Sequence, residues 1–289
     1  PPLRMRFFRG KKILPPRSAI VHPSADFGLP VFGLLFLCVP ARALGYHELG
    51  RNGVKQMENT TKKAWPMPEA VIFDLDGTLF RSETMLEPVY RRIFETLRDE
   101  GLYVKPAPPI ERFYSSLGML LEDIWQRVIP DSSPAARERA NELLMQYGEE
   151  ELNAGKGDLF EGVPETLREL KRRGIRLFVA SNGLESYVRE VTRHKGIGDL
   201  FEGLYSAGQY GTARKADLVR LLMDRHGVRD AWMVGDRSSD VEAGRQNGLR
   251  VVGCAYAGFG REEELAGSDA VIRRFPELLE LMEEKSATA

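Results

Sequence analysis

Short, continuously apolar runs alternate with amphipathic stretches over most of this chain, and that alternation limits what it can fold into. Residues 70–75, 175–180, 231–234 and 249–254 are such runs, each closed by turn-forming or polar residues. Runs of this kind fit strands covered on both faces, as in a parallel sheet. Residues 203–206 and 270–272 are weaker copies of the pattern. Residues 164–173 read as a helix with an acidic start and a Lys-Arg-Arg end before Gly174. Residues 213–226 set Leu218, Leu221 and Leu222 on one stripe before Gly227, and residues 238–247 form a shorter helix before Gly248. Strands and helices in alternation predict an α/β fold built on a parallel sheet with right-handed crossovers.

One stretch breaks the alternation. About a hundred residues separate the first apolar run from the second, and their apolar positions recur at three and four. Leu86, Tyr90, Ile93 and Leu97 form one stripe, Leu117, Leu120, Leu121 and Ile124 a second, and Leu143, Leu144 and Tyr147 a third. Prolines interrupt the pattern at residues 105–109 and 130–134. Residues 82–155 are therefore expected to be a helical insertion, a small second domain on the sheet core.

Residues 1–66 differ from the rest. They hold 11 Lys+Arg against 3 Asp+Glu, a charge of +8 within a chain whose total is −1. Prolines break them repeatedly, and their apolar run at residues 29–40 is too short to span a membrane as a helix, which takes ~20 residues. A signal-peptide core is one reading of that run, with Ala41-Arg42-Ala43 behind it. The expectation adopted is a leader, disordered or not part of the native protein, with Met57 as an alternative start. The near-neutral total gives no general attraction to nucleic acid. Cys38 and Cys254 make neither a disulfide framework nor a zinc site, which suits a reducing compartment. A cytoplasmic protein without membrane or nucleic-acid partners, monomeric or a small homo-oligomer, is expected.

Chemistry in an open parallel sheet gathers beyond the carboxyl ends of the strands, and four clusters fall there. The first strand runs into Asp74-Leu75-Asp76-Gly77-Thr78. Two carboxylates this close raise one another's pKa unless a cation intervenes. With a divalent metal present, one can act as nucleophile and the other as general acid and base. The second strand ends in Ser181-Asn182-Gly183, donors suited to an anion at a helix start. Lys215 opens a helix, where a cation opposes the helix dipole and makes sense facing an anion. Gly235-Asp236-Arg237-Ser238-Ser239-Asp240 supplies two more acids able to bind Mg²⁺. Each cluster alone has an ordinary structural reading, as a turn, a helix cap or a surface charge. Their joint occurrence in this order is what points to a site.

With those four motifs in place, the chain resembles the haloacid dehalogenase superfamily over roughly residues 69–284, and the helical insertion resembles the cap of its phosphoglycolate phosphatase-like branch. The resemblance implies a Rossmann-like core over residues 67–81 and 156–289 with a cap over 82–155. It implies a Mg²⁺-dependent phosphatase in which Asp74 attacks phosphorus and forms an aspartyl-phosphate. Asp76 would protonate the leaving alcohol and then activate water. Thr78, Ser181, Asn182, Gly183 and Lys215 would bind the phosphoryl group. Asp74, the Asp76 carbonyl, Asp236 and Asp240 would hold the metal.

The resemblance also separates branches. Family dehalogenases lack the second Asp of the first motif, and the phosphonate-cleaving branch has a small residue there; Asp76 argues against both. A mutase of the β-phosphoglucomutase type keeps both acids and stands as the enzyme alternative, with a non-catalytic binding protein as the other. Thr78, where such mutases often carry Val or Ile, tilts the reading to hydrolysis. The expected substrate is a small phosphate ester: phosphoglycolate, a sugar phosphate or a nucleoside monophosphate. Arg81, on the expected hinge, is a candidate for meeting a second anionic group, and Arg91, Arg92, Arg112 and Tyr114 are candidate specificity residues in the insertion.

Overall fold

The computed structural model describes residues 64–258 and 262–283. In chain order these form β1 (Ala70–Phe73), β2 (Phe80–Arg81), α1 (Glu83–Asp99), α2 (Ile110–Tyr114), α3 (Leu121–Val128), α4 (Pro134–Asn153), β3 (Asp158–Leu159), α5 (Val163–Arg172), β4 (Arg176–Ser181), α6 (Glu185–His194), β5 (Gly203–Ser206), α7 (Ala207–Tyr210), α8 (Lys215–His226), β6 (Ala231–Gly235), α9 (Ser238–Gln246), β7 (Arg250–Cys254) and β8 (Ala270–Ile272). Six strands make one sheet in the order β5-β4-β1-β6-β7-β8, every neighbouring pair parallel. β1 and β6, where the acidic motifs sit, are the two central strands.

The apolar runs are continuous because both faces of the sheet are covered. Along β1, Val71 and Phe73 join one core cluster and Ala70 and Ile72 the other. The first cluster is closed by Val163, Leu167 and Leu170 of α5 and by Val188 and Val191 of α6. The second is closed by Leu218, Val219 and Leu222 of α8 and Ala243 of α9. This is the period-two alternation of a strand, with an apolar side chain on both sides.

The insertion is helical from α1 to α4. Leu86, Tyr90, Ile93 and Leu97 are buried along α1, as their spacing predicts. α4 starts at Pro134 with Ser133 as its cap, the Ser133 hydroxyl accepting from the Ala136 amide at 3.1 Å. The second stripe is a correction: residues 117–124 are not one helix. The chain turns between α2 and α3, with Gly118 at φ +85°, and the helix begins only at Leu121. Both passages between sheet and insertion run through a short antiparallel pair, β2 with β3, in which Phe80 pairs Leu159 and Arg81 pairs Asp158.

Trp65, assigned above to the leader, belongs to the core. Its amide donates to Leu281 O at 2.8 Å, its carbonyl accepts from Glu283 at 2.9 Å, and its ring meets Trp232 edge-on at 5.2 Å. The basic, proline-broken stretch, its apolar run and Cys38 lie outside the described residues. Among the described residues no helix is long and apolar enough to cross a membrane.

Candidate active site

Asp74 follows β1 directly and is fixed to the next strand by its amide, which donates to Val234 O at 2.9 Å. The chain then turns on Leu75 O, which accepts from the amides of both Leu79 and Phe80 at 2.9 Å. Gly77 makes that turn with φ +83°, and a Cβ there would stand 2.4 Å from Oδ2 of Asp236. Glycine is thus required twice, by backbone conformation and by the close approach of β6.

A buried charged cluster lies behind this turn. Lys215, at the start of α8, donates through Nζ to Oδ1 of Asp74 and to Oδ1 of Asp240, both at 2.6 Å. Asp240, in the first turn of α9, accepts on its other oxygen from the Arg237 amide at 3.0 Å. Gly235 is obligatory here too, since a Cβ would fall 2.2 Å from Cγ of Asp240. Asp236, at the end of β6, accepts the Thr78 hydroxyl on Oδ1 at 3.2 Å. Asp74, Lys215, Asp236 and Asp240 are all at most 2% exposed.

Burial disfavours charge on these groups, and the neighbours decide how far. Desolvation pushes the Asp74 carboxyl up to about 7, with Asp240 and Asp76 adding to the rise and Lys215 opposing it. Desolvation also holds Asp236 well above the ordinary carboxylate range, reinforced by Asp74 and Asp240. For Lys215 burial works against the charge, but Asp240 and Asp74 more than offset it and keep the ammonium above its ordinary value.

Three carboxylates against one ammonium leave negative charge unanswered. Oδ2 of Asp74 and Oδ2 of Asp236 are both buried without a hydrogen-bond partner. Oxygens of Asp74, Asp236 and Asp240 lie within 4.8 Å of one another. An all-oxygen donor set with two bare carboxylate oxygens fits a hard divalent cation. Asp240 already uses both oxygens on protein donors, Lys215 and the Arg237 amide.

Asp76 sits apart from this cluster, partly exposed to a cavity. Its Oδ1 accepts from the Ser82 hydroxyl and from the Tyr187 hydroxyl, each at 2.6 Å. Burial raises its pKa, and the two hydroxyl donors pull against that rise. Neither Ser82 nor Tyr187 is among the site residues expected from the sequence. Tyr187 comes from α6, and no local pattern marks it.

Ser181 ends β4, and its Oγ accepts from the Gly183 amide at 3.1 Å, which holds the loop before α6. Asn182 donates through Nδ2 to Gly118 O at 2.7 Å, and its Oδ1 is buried without a partner. Arg237 donates to Ser115 O at 2.7 Å and pairs with Glu264 at 3.2 Å. The turn between α2 and α3 is thus tied to the sheet by two side chains.

Two cavities meet at this turn. One, of about 300 Å³, reaches Asp74, Asp76 and Ser181 and extends between α1, α3, α4 and α6. The other, of about 530 Å³, reaches Lys215, Arg237 and Ser239. Gly118, Met119 and Asn182 line both.

Several expected positions lie elsewhere. The Thr78 hydroxyl is given to Asp236 and its carbonyl accepts from Tyr256, so it braces the acidic cluster and lines neither cavity. Arg81 also lines neither; it pairs with Glu83 at 3.5 Å beside the Phe160 ring. The arginines of the insertion are engaged within the helices: Arg91 with Glu87, Arg92 with Glu150 and the Tyr147 ring, Arg112 with Val128 O.

The comparisons with known proteins agree on the family. Residues 68–248 match the haloacid dehalogenase-like hydrolase family model. A 5'-nucleotidase of Pseudomonas aeruginosa is 30% identical over 198 residues, 68% of this chain and 86% of that protein. A phosphoglycolate phosphatase of Rhodospirillum rubrum is 32% identical over 206 residues, 68% of this chain and 83% of that protein. CbbY from Rhodobacter sphaeroides, solved with phosphate, superposes with a TM-score of 0.62 at 25% identity, covering 73% of this chain and 96% of its own.

Proposed function

Since this chain belongs to the haloacid dehalogenase-like hydrolases, we propose that it is a Mg²⁺-dependent phosphatase acting on a small phosphate ester through an aspartyl-phosphate. One observation carries the reading. Asp74 has one oxygen held by Lys215 and the other bare, at a cavity that also reaches Asp76. That is the arrangement needed for a positioned nucleophile beside an acid and base.

In the first half-reaction a bond forms between an Asp74 oxygen and phosphorus as the bond from phosphorus to the leaving oxygen breaks. Asp76 gives its proton to that leaving oxygen. Its Oδ1 already takes two hydroxyl donors, which leaves Oδ2 as the oxygen that carries the proton. In the second half-reaction Asp76 takes a proton from water as the water oxygen bonds to phosphorus. The Asp74–phosphorus bond breaks, and inorganic phosphate leaves.

Lys215, the Ser181 hydroxyl and Asn182 serve the phosphoryl oxygens in this reading, with the Gly183 amide orienting the Ser181 hydroxyl until the phosphoryl group takes that donor. Asp74, the Asp76 carbonyl and Asp236 would hold Mg²⁺ with Asp240 in support, and bound there it offsets the charge between an anionic nucleophile and an anionic phosphoryl group. Positioning and charge neutralisation carry most of phosphoryl transfer. Helices α1 to α4 act as a cap that keeps bulk water from the reaction.

Phosphate release from a panel of phosphorylated metabolites, with Mg²⁺ and with EDTA, tests the reading. Release without a phosphorylated activator, lost with EDTA and lost in Asp74→Asn, is the expected result. Near-full turnover by Asp74→Asn overturns the mechanism.

A further inference from the structure

Resting on that phosphatase reading, we propose that the leaving group of the substrate is uncharged, apolar and about the size of a ring with a short linker, and that a leaving group carrying a second anion is rejected. The argument begins with Asp76. The acid that protonates the leaving oxygen must face the space where the leaving group sits. Asp76 lines the 300 Å³ cavity and does not line the larger one that holds Lys215 and Arg237. The leaving group therefore occupies the smaller cavity.

That cavity is built from the insertion's apolar side chains, Leu86, Phe113, Leu121, Ile124 and Leu144 among them. Among the described residues that line it there is no Lys, Arg or His. Its charged side chains beyond Asp74 and Asp76 are Glu149 and Glu190. A carboxylate or second phosphate placed there would lose its hydration, find no cation, and face acidic groups. Lys215 lines the larger cavity and not this one, and it donates to Asp74 and Asp240. Arg91, Arg92 and Arg112 of the insertion hold other partners, Arg127 lines the larger cavity and not this one, and Arg81 lies outside both.

Size sets the other limit. A cavity of about 150 Å³ lined by aliphatic and aromatic side chains holds a benzene ring. The 300 Å³ cavity also takes the phosphoryl group at Asp74 and Ser181, and what remains is on the scale of a ring with a short linker.

The test compares 2-phosphoglycolate with benzyl phosphate, both esters of alkyl alcohols, and adds acetyl phosphate, whose small leaving group makes little demand on the cavity. With the full chain and Mg²⁺, kcat/KM for benzyl phosphate is expected to exceed that for 2-phosphoglycolate by roughly 100-fold, the discrimination typical of a fitted apolar pocket. Met145→Arg, on the cavity side of α4, is expected to narrow that ratio at least tenfold by raising turnover of 2-phosphoglycolate. Leu144→Arg replaces it should that variant unfold on circular dichroism. Acetyl phosphate turnover with 2-phosphoglycolate preferred or equal to benzyl phosphate overturns the proposal. No Asp74-dependent turnover of acetyl phosphate overturns the phosphatase reading itself, and the proposal with it.

Discussion

Tyr187 and Asp76 are 111 residues apart in sequence, and the tyrosine hydroxyl donates to Oδ1 of the aspartate at 2.6 Å. Burial holds the Tyr187 phenol well above its ordinary pKa, with the Asp76 charge beside it, so the phenol remains a donor. With Ser82 on the same oxygen, the carboxyl plane is fixed from two sides. Tyr187→Phe should lower kcat roughly tenfold, a fraction of what a general acid contributes. KM should move little, because the phenylalanine ring keeps the Tyr187 contribution to the cavity wall and only the hydroxyl is lost. Steady-state kinetics on the best substrate decide this, and a roughly tenfold rise in KM with kcat unchanged would assign Tyr187 to binding.

Gly77 carries a sharper expectation. Its positive φ and its contact with Asp236 both exclude a side chain. Gly77→Ala should cost on the order of 1–3 kcal/mol from backbone strain alone and displace Asp236 as well. Thermal unfolding and phosphate release should fall together; a variant with native midpoint and native activity contradicts the close approach.

The lysine at the centre of the acidic cluster holds two buried carboxylates together. Lys215→Met removes the shared donor from Asp74 and Asp240 while both stay buried. Breaking a buried ion pair from one side typically costs about 3–5 kcal/mol. Denaturant unfolding without added metal should show a loss of that order.

Metal should stabilise the fold through the bare oxygens of Asp74 and Asp236. At a concentration 100 times its dissociation constant, a ligand adds about 2.7 kcal/mol. Mg²⁺ should therefore raise the unfolding midpoint of the unaltered chain, and EDTA should reverse it. Asp236→Asn should abolish the rise; a rise of equal size in that variant places the ion elsewhere.

At the amino-terminal ends of the strands, away from the site, Arg176 joins Glu69 at 2.8 Å and Glu202 at 2.6 Å. The Glu69 carboxyl lies below its ordinary value, first through the Arg229 amide and then through Arg176, and Glu202 is lowered chiefly by Arg176. A depressed carboxylate contributes stability that is present above the unfolded-state pKa and lost as pH falls through the folded-state value. Arg176→Met should therefore destabilise at neutral pH by up to about 1 kcal/mol per exposed pair. The difference should close as pH falls below the ordinary glutamate range. Urea midpoints at neutral and acid pH measure it.

The parts of the site that could be read from sequence are those held by neighbours in the chain. Asp74 and Asp76 share one turn, Asp236 and Asp240 one strand end and helix start, and Lys215 stands out as a cation where the dipole opposes it. What could not be read arises between distant segments. Tyr187 reaches Asp76, Arg237 reaches Ser115, and Thr78 turns to Asp236 only because β1 and β6 are neighbours. The stripe at residues 117–124 misled for a related reason. Leu117, Leu121 and Ile124 do pack inward, but the turn at Gly118 serves Asn182 and interrupts the helix. Trp65 was grouped with the basic stretch because its partners, Trp232 and Leu281, lie far along the chain.

The pairing of Phe80 with Leu159 joins the two ends of the insertion as neighbouring strands, about 4.8 Å apart across the ladder. To the sheet, everything from α1 to α4 is a loop whose ends arrive already clasped. Its length and content can change without moving either attachment point. On the proposed reading, the phosphoryl chemistry would stay with the sheet and the choice of molecule with the clasped loop. Transplanting residues 82–157 from one relative to another, with the clasp kept, should carry preference with it and leave the reaction behind.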